Sequence, residues 1–367
     1  MAMPTLSPPP GTTRPIRVLI VDDSALVRKV LTEIIGRDPR LEVVGTAGDP
    51  FEAREKIKAL NPDVLTLDVE MPKMDGITFL GNLMRLRPMP VVMVSSLTAA
   101  GAETTLQALE IGAVDYVAKP ALGVAEGLDE MADDLREKIA TAARARIGSR
   151  PRRARTGGAT AKAAANGAAV SGSSMLRTTD RVVAIGASTG GTEAIADVLS
   201  VLPPDTPGVV ITQHIPESFS GRFAQRLDGL SALAVREARD GDQVLLGHAY
   251  VAPGNHHLEL RRSGAKYFCR VTQAPPVNRH RPSVDVLFRS VATEVGPNAV
   301  GVLLTGMGAD GADGLLDIKR AGAPTIAQDQ ETSVVWGMPG EAVKRGAAES
   351  VLPLGDIAAQ IVKLLRR

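Results

Sequence analysis

The sequence predicts an α/β protein of two domains: an N-terminal doubly wound (βα)5 domain and a C-terminal α/β domain whose sheet is mostly parallel with a mixed edge. Three observations carry this reading. Short apolar, β-branched runs alternate with stretches of helical periodicity on both sides of the chain's middle. Between them, "RARIGSRPRRARTGGATAKAAANGAAVSGSSMLRTTD" is rich in Ala, Gly, Ser and Arg, with few large apolar side chains to offset the entropy of ordering. Acidic and hydroxyl residues fall where the apolar runs end, which is where an open α/β sheet forms its ligand crevice. The expected division is a disordered lead-in over residues 1–14, a first domain over 15–138, a flexible basic tether over 139–179 and a second domain over 180–367.

In the first domain "IRVLIVDD" reads as a buried strand and "SALVRKVLTEIIGR" as the helix after it. The strand "LEVVGTA" and helix "DPFEAREKIKAL" repeat the pair, then "DVLTLDVEMP" with "GITFLGNLMRLR", "PVVMVSS" with "AAGAETTLQALEIGA", and a last short strand "VDYVAKP". Helices between successive strands impose parallel pairing and right-handed crossovers. In the second domain the strand candidates are "RVVAIGA", "GVVITQH", "HAYVAPG", "HLELRR" and "NAVGVLLTGM", with helical stretches such as "TEAIADVLSVL" and "GADGLLDIKRAG". The turn around Gly254-Asn255 reads as a hairpin, hence the mixed edge.

Composition narrows the function classes. Hydrophobic residues make up 44% and charged residues 23% of 367, as in ordinary globular proteins. A net charge of +1 provides no general pull toward nucleic acid or an anionic membrane. The tether arginines lack interleaved aromatics for base stacking. No apolar run reaches the roughly 20 residues that span a bilayer, so membrane insertion is not expected. "MAMPTLSPPPGTTRP" lacks the apolar core of a secretion signal. The single cysteine, Cys269, excludes an internal disulfide and fits a reducing cytoplasm. A monomer is expected.

Chemistry in the first domain concentrates at strand ends. Asp22 and Asp23 follow "VLIV", Asp68 follows "VLTL", Ser95 follows "VVMV" and Lys119 follows "DYVA". One such Asp is ordinarily a helix cap, whereas the whole set at successive strand ends should converge. Converging carboxylates repel unless a cation sits among them, and a hard, oxygen-seeking ion such as Mg²⁺ suits them. Residues 16 to about 135 resemble the receiver domain of two-component response regulators, through Asp22-Asp23, Asp68, the "MPKMDG" turn, Ser95 and Lys119-Pro120. The resemblance implies that Asp68 accepts a phosphoryl group from a histidine kinase. It implies Mg²⁺ held by Asp22, Asp23, Asp68 and the carbonyl of Glu70, with Ser95 and Lys119 reading the phosphoryl oxygens and Tyr116 as the coupled aromatic.

The second domain opens with "VVAIGASTGGTE", which reads either as a phosphate-cradling turn or as a G-x-S-x-G nucleophile turn. A dinucleotide site calls for Asp or Glu at the end of the second strand, yet "GVVITQ" is followed by His214. None of Tyr116, Tyr250 and Tyr267 has Lys four residues on, as a short-chain dehydrogenase would require. Ser188, His214 and Asp310 each follow a strand candidate, and serine hydrolysis needs that trio. Glycines beside Ser188 leave amides for an oxyanion, and Met307 offers another. Taken singly, Ser188 and Asp310 can be helix caps and His214 a surface histidine, so the residues alone leave both readings open. His248, His256, His257 and His280 are competing bases, ranked lower.

"IGASTGG", "TQHIP", "GHAYVAPGNHHLEL", "HRPSVD", "LTGMGADG" and "QDQETSVVWGMP" resemble the catalytic domain of chemotaxis protein-glutamate methylesterases, the CheB family, over residues 181–367. The resemblance implies a phosphorylation-activated hydrolase of glutamate methyl esters on chemoreceptors that also deamidates certain glutamines. Ser188, His214 and Asp310 take its triad positions, with Thr189, Gly190 and Met307 supplying oxyanion amides and no cofactor for the ester step. The alternatives are a nucleotide- or DNA-binding output domain and a non-catalytic receptor adaptor.

Overall fold

In a computed structural model that describes residues 14–71, 74–95, 98–119, 128–145 and 180–366, the apolar runs become strands and the periodic stretches become the helices covering them. The chain divides into two units, Met1–Ala145 and Arg146–Arg367.

The first unit runs β1 (Ile16–Val21), α1 (Ala25–Gly36), β2 (Leu41–Ala47), α2 (Pro50–Leu60), β3 (Val64–Asp68), α3 (Gly76–Leu86), β4 (Val91–Ser95), α4 (Ala99–Ile111), β5 (Asp115–Ala118) and α5 (Leu128–Ala142). Its 5-stranded sheet has the order β2-β1-β3-β4-β5, and every pairing is parallel. The residues Val18–Val21, Leu65, Leu67 and Val91–Val94 are buried, as helices on both faces of a parallel sheet require. Helix starts follow local chemistry: Ser24, Asp49, Asp75 and Thr98 each accept a hydrogen bond from an amide in the first turn of α1, α2, α3 and α4.

In the second unit the order is β6 (Val182–Ala187), α6 (Gly191–Leu199), β7 (Gly208–Gln213), α7 (Glu217–Leu230), β8 (Ala234–Glu237), β9 (His248–Val251), β10 (His257–Ser263), β11 (Lys266–Thr272) and α8 (Val284–Glu294). It ends with β12 (Ala299–Leu303), α9 (Ala312–Arg320), β13 (Thr325–Gln328), α10 (Met338–Lys344), β14 (Ser350–Leu352) and α11 (Leu354–Leu365). A 7-stranded sheet in the order β14-β13-β12-β6-β7-β9-β8 is parallel throughout. The antiparallel pair expected at its edge is a separate 2-stranded sheet, β10-β11. That hairpin turns at Gly264 (φ +59°), while Gly254 and Asn255 precede β10. Leu258, Leu260 and Cys269 of the hairpin bury against Leu287, Phe288 and Val291 of α8, which gives the hairpin an apolar face of its own.

Boundaries differ from expectation in two places. Arg14, counted in the lead-in, pairs with Asp63 at 2.8 Å. Helix α5 continues to Ala142, past the boundary expected at 138, because its apolar stripe (Ala132, Leu135, Ile139, Ala142) stays buried to its last residue. Residues 1–13 and 146–179, with Pro72, Lys73 and Pro120 of the quoted motifs, lie outside the described residues. Among the described residues, no helix is long and apolar enough to cross a membrane.

Candidate functional site

Strand β6 stands between β12 and β7, and the winding reverses there: β7 lies on one side of it and β12, with β13 and β14 beyond, on the other. At such a switch point the carboxyl ends of parallel strands leave a crevice. Ser188 follows β6, His214 follows β7 and Asp310 lies in the loop after β12, so residues remote in sequence emerge side by side. Nδ1 of His214 is 3.0 Å from Oγ of Ser188, and Nε2 is 2.8 Å from Oδ2 of Asp310. Capping does not account for these side chains. The N-caps of α6 and α9 are Gly190 and Gly311, and neither helix has a side-chain capping bond.

The carboxylate can only accept, so Nε2 of His214 carries the proton and the Nδ1 lone pair faces the serine hydroxyl. The ring is turned relative to serine proteases, where Nε2 faces serine, but the relay of donor and acceptor is the same. Burial alone would raise the Asp310 pKa. Hydrogen bonds from His214, Asn278 and Ser283, with the electrostatic pull of the imidazole, overcome it and hold the carboxyl well below the usual range. Amides of Val284 (2.7 Å) and Asp285 (3.3 Å) add to the set.

The Ser188 turn is fixed from several sides. Its amide donates to Thr305 O at 3.0 Å, and its carbonyl accepts from Gly191 N (2.7 Å) and Gln213 Nε2 (2.9 Å). Gly190 has φ +77°, and a Cβ there would lie 2.7 Å from Val334 Cβ. A Cβ on Gly306 would lie 2.8 Å from that of Ser188, so the loop bearing Met307 runs directly beside the hydroxyl-bearing turn. Thr189 and Gly190 in one segment and Met307 in the other therefore border Ser188. Such an arrangement can deprotonate a hydroxyl and present amides to developing negative charge.

The competing histidines separate by environment. His257 is fully buried, accepting from Ser283 N at Nδ1 (3.2 Å) and facing Pro275 O through Nε2 (3.1 Å). The Nδ1 atoms of His248 and His256 bond to the carbonyls of Leu246 and Gly254. His280, ranked low from sequence, stacks on His214 with ring centroids 3.6 Å apart and planes at 16°. The segment 278–285 thus contributes Asn278, His280, Ser283 and Asp285 around the site. Its signal was the dense polar run "NRHRPSVD" between an apolar strand and a helix.

In the first unit three carboxylates converge. Asp22, Asp23 and Asp68 each offer an oxygen within 4.8 Å of the others. Nζ of Lys119 is 2.8 Å from Asp68 Oδ2 and 3.4 Å from Asp22 Oδ2. Burial is the main cause that pushes the Asp68 carboxyl up to about 6, the Lys119 hydrogen bond opposing it and the negative charge of Asp22 adding to it. Asp22 is raised too, chiefly by burial, with Lys119 as the main opposing influence. An oxygen-only donor set of this kind, short of positive charge, fits a hard divalent cation. Glu70 donates its amide to Asp68 Oδ1 at 3.2 Å. Ser95 is buried at the end of β4, its Oγ 3.3 Å from Gly101 O, and the buried Tyr116 ring lies under Lys138 Nζ, 5.3 Å from its centroid.

Comparison with known proteins places each unit in a known domain family. A family model described as response regulator receiver domain matches residues 18–128, and one described as CheB methylesterase matches residues 183–361. The chain is thus of the class in which a receiver is fused to an α/β domain of hydrolase type. A protein-glutamate methylesterase/protein-glutamine glutaminase 1 from Xanthomonas campestris is 58% identical over 353 residues, 95% of this chain and 97% of its own. The protein of that name from Hahella chejuensis is 56% identical over 370 residues, 96% and 97% of the two chains. The crystal structure of the Thermotoga maritima CheB methylesterase catalytic domain is 38% identical and covers 50% of this chain and 98% of its own, at a TM-score of 0.49. The chain belongs to the CheB methylesterase family.

Proposed function

We propose that this chain is a protein-glutamate methylesterase and protein-glutamine glutaminase, switched on by phosphorylation of its receiver and acting on chemoreceptors in the cytoplasm as a monomer. The observation that carries the hydrolase reading is the unbroken line Ser188 Oγ, His214, Asp310, with contacts of 3.0 and 2.8 Å. Ser188 Oγ attacks the γ-carbonyl while Nδ1 of His214 takes its proton. Amides of Thr189, Gly190 and Met307 receive the oxyanion, and Asp310 offsets the imidazolium charge. His214 protonates the departing methoxide, giving methanol, or the departing amide, giving ammonia. It then activates water, which releases glutamate from the acyl-enzyme.

In the receiver, Asp68 takes the phosphoryl group from a histidine kinase. Asp22, Asp23, Asp68 and the Glu70 carbonyl would hold Mg²⁺, which supplies charge neutralisation during phosphoryl transfer. Lys119 and Ser95 contact the phosphoryl oxygens, and Tyr116 couples to that change. A hundredfold activation needs only about 2.7 kcal/mol of differential stability.

The test is methanol release from methylated receptor membranes with and without a small phosphodonor. The wild type is expected to respond to the donor and Asp68→Ala to lose the response while keeping basal rate. Ser188→Ala is expected to lose the rate entirely, and full activity in that variant would refute the mechanism.

A further inference from the structure

The two hydrogens of one amide join a pair of buried carboxylates behind the hydrolytic site. Nδ2 of Asn278 is 2.8 Å from Asp310 Oδ1 and 2.8 Å from Asp285 Oδ2. Both acids are about 2% exposed, whereas Asn278 itself is an exposed residue at the rim whose amide reaches inward. Carboxylates only accept, so it is the nitrogen of the amide that must face them. Asp285 is anchored in turn by Gly314 N, which donates to its Oδ1 at 2.7 Å, and by Arg289 at 3.5 Å.

The oxygens of Asp310 are shared out unequally. Oδ1 accepts from Asn278, from Ser283 Oγ (2.8 Å) and from Asp285 N (3.3 Å). Oδ2 accepts from Val284 N (2.7 Å) and from Nε2 of His214 (2.8 Å). The backbone at 278 supports the same assignment. Asn278 has φ 53° and Arg279 φ 67°, a left-handed pair that Asn tolerates better than most residues. Asp285, held above the usual carboxylate range mainly by burial and also by the charge of Asp310, provides the fixed far end of the bridge.

Resting on the hydrolase reading above, we infer that Asn278 is a positioning residue: bridged to Asp285, its amide pins Oδ1 of Asp310 so that Oδ2 stays aimed at Nε2 of His214. The imidazole is thereby kept in the tautomer that accepts the Ser188 proton. Removing the amide lets the carboxylate rotate and slows the chemical step without weakening substrate binding.

The test uses the full-length chain and compares kcat and KM for methanol release in Asn278→Gly, Asn278→Asp and Ser188→Ala. Glycine keeps the left-handed backbone and deletes only the amide, so its kcat should fall about 10- to 100-fold, the usual cost of losing an outer orienting partner, with KM within about twofold. In Asn278→Asp the new side chain donates only when protonated. Its activity relative to the wild type should therefore recover toward mildly acidic pH. The ionisable groups facing that position are Asp285 and Arg289 from α8, Asp310 before α9, His214 after β7 and His280 from its own segment, all present in the wild-type control. Wild-type kcat in Asn278→Gly, a change in KM alone, or an Asn278→Asp profile parallel to wild type would each overturn the inference. Retained rate in Ser188→Ala would instead refute the hydrolase reading itself.

Discussion

Oδ2 of Asp310 accepts a 2.8 Å hydrogen bond from Nε2 of His214 in surroundings that leave only 1% of the Asp310 side chain exposed. A buried carboxylate so close to an imidazole both selects the tautomer and stabilises the cation formed when the ring takes a proton. Asp310→Asn keeps the shape and removes the charge. In a serine protease the corresponding change costs about 10⁴ in turnover. Here a loss of about 10² to 10⁴ in kcat is expected with little change in KM, read as methanol release under saturating ester.

Asp310 also makes a prediction about acid stability. Its folded pKa lies below its unfolded one, so its contribution is complete above the ordinary carboxylate value of about 4 and is lost as pH falls below it. Urea midpoints of the wild type should drop through that acid range more steeply than those of Asp310→Asn. Parallel curves would show that the carboxylate is not stabilised in the fold.

At Gly190 both backbone and packing conflict with any side chain. At φ +77° a non-glycine residue costs about 1–2 kcal/mol, and its Cβ would sit 2.7 Å from Val334 Cβ, well inside contact distance. Gly190→Ala should lower the thermal midpoint by about 2–4 °C per kcal/mol and cut kcat by more than about tenfold, because Ser188 shares the displaced turn. An unaltered rate would mean that the turn yields without moving the hydroxyl.

The parts of this protein that were readable in advance are those set by local pattern. Strand-terminal Asp22, Asp68, Ser188 and His214 were visible because an apolar run ending in a functional group announces both the strand and the rim it reaches. That β12, β6 and β7 are neighbours does not follow from that pattern, since strand order is decided by non-local pairing. Short elements escaped: β8 is half exposed, and β13 and β14 are 4 and 3 residues long, too brief to show a period. The hairpin was misplaced because Gly254-Asn255 carries turn residues, whereas the actual turn at Gly264 joins β10 and β11, the latter largely unrecognised. Asn278 and Asp285 lie in a visible polar run, but their part in the site was not legible for another reason. Their significance lies in shared hydrogen bonds to Asp310, across 32 and 25 residues of sequence, which no local window contains.

The last prediction concerns Asp68, whose carboxyl is pushed up to about 6, first by burial and further by Asp22, against the pull of Lys119. With a folded pKa above the unfolded value near 4, the group's stabilising contribution is complete below about pH 4 and is lost as pH rises through 6. Near neutrality the ionised, metal-free receiver therefore bears a penalty of at most roughly 2–3 kcal/mol. Asp68→Asn should raise the thermal midpoint of the receiver transition in chelator at pH 7.5, by less than the full amount because Lys119 loses its closest partner. Lys119→Ala should move the midpoint the other way, leaving Asp22 and Asp68 uncompensated. Added Mg²⁺ should stabilise the wild type and Lys119→Ala, and do markedly less for Asp68→Asn, which has one carboxylate ligand fewer. Equal Mg²⁺ stabilisation of the wild type and Asp68→Asn would place the cation somewhere other than among these carboxylates.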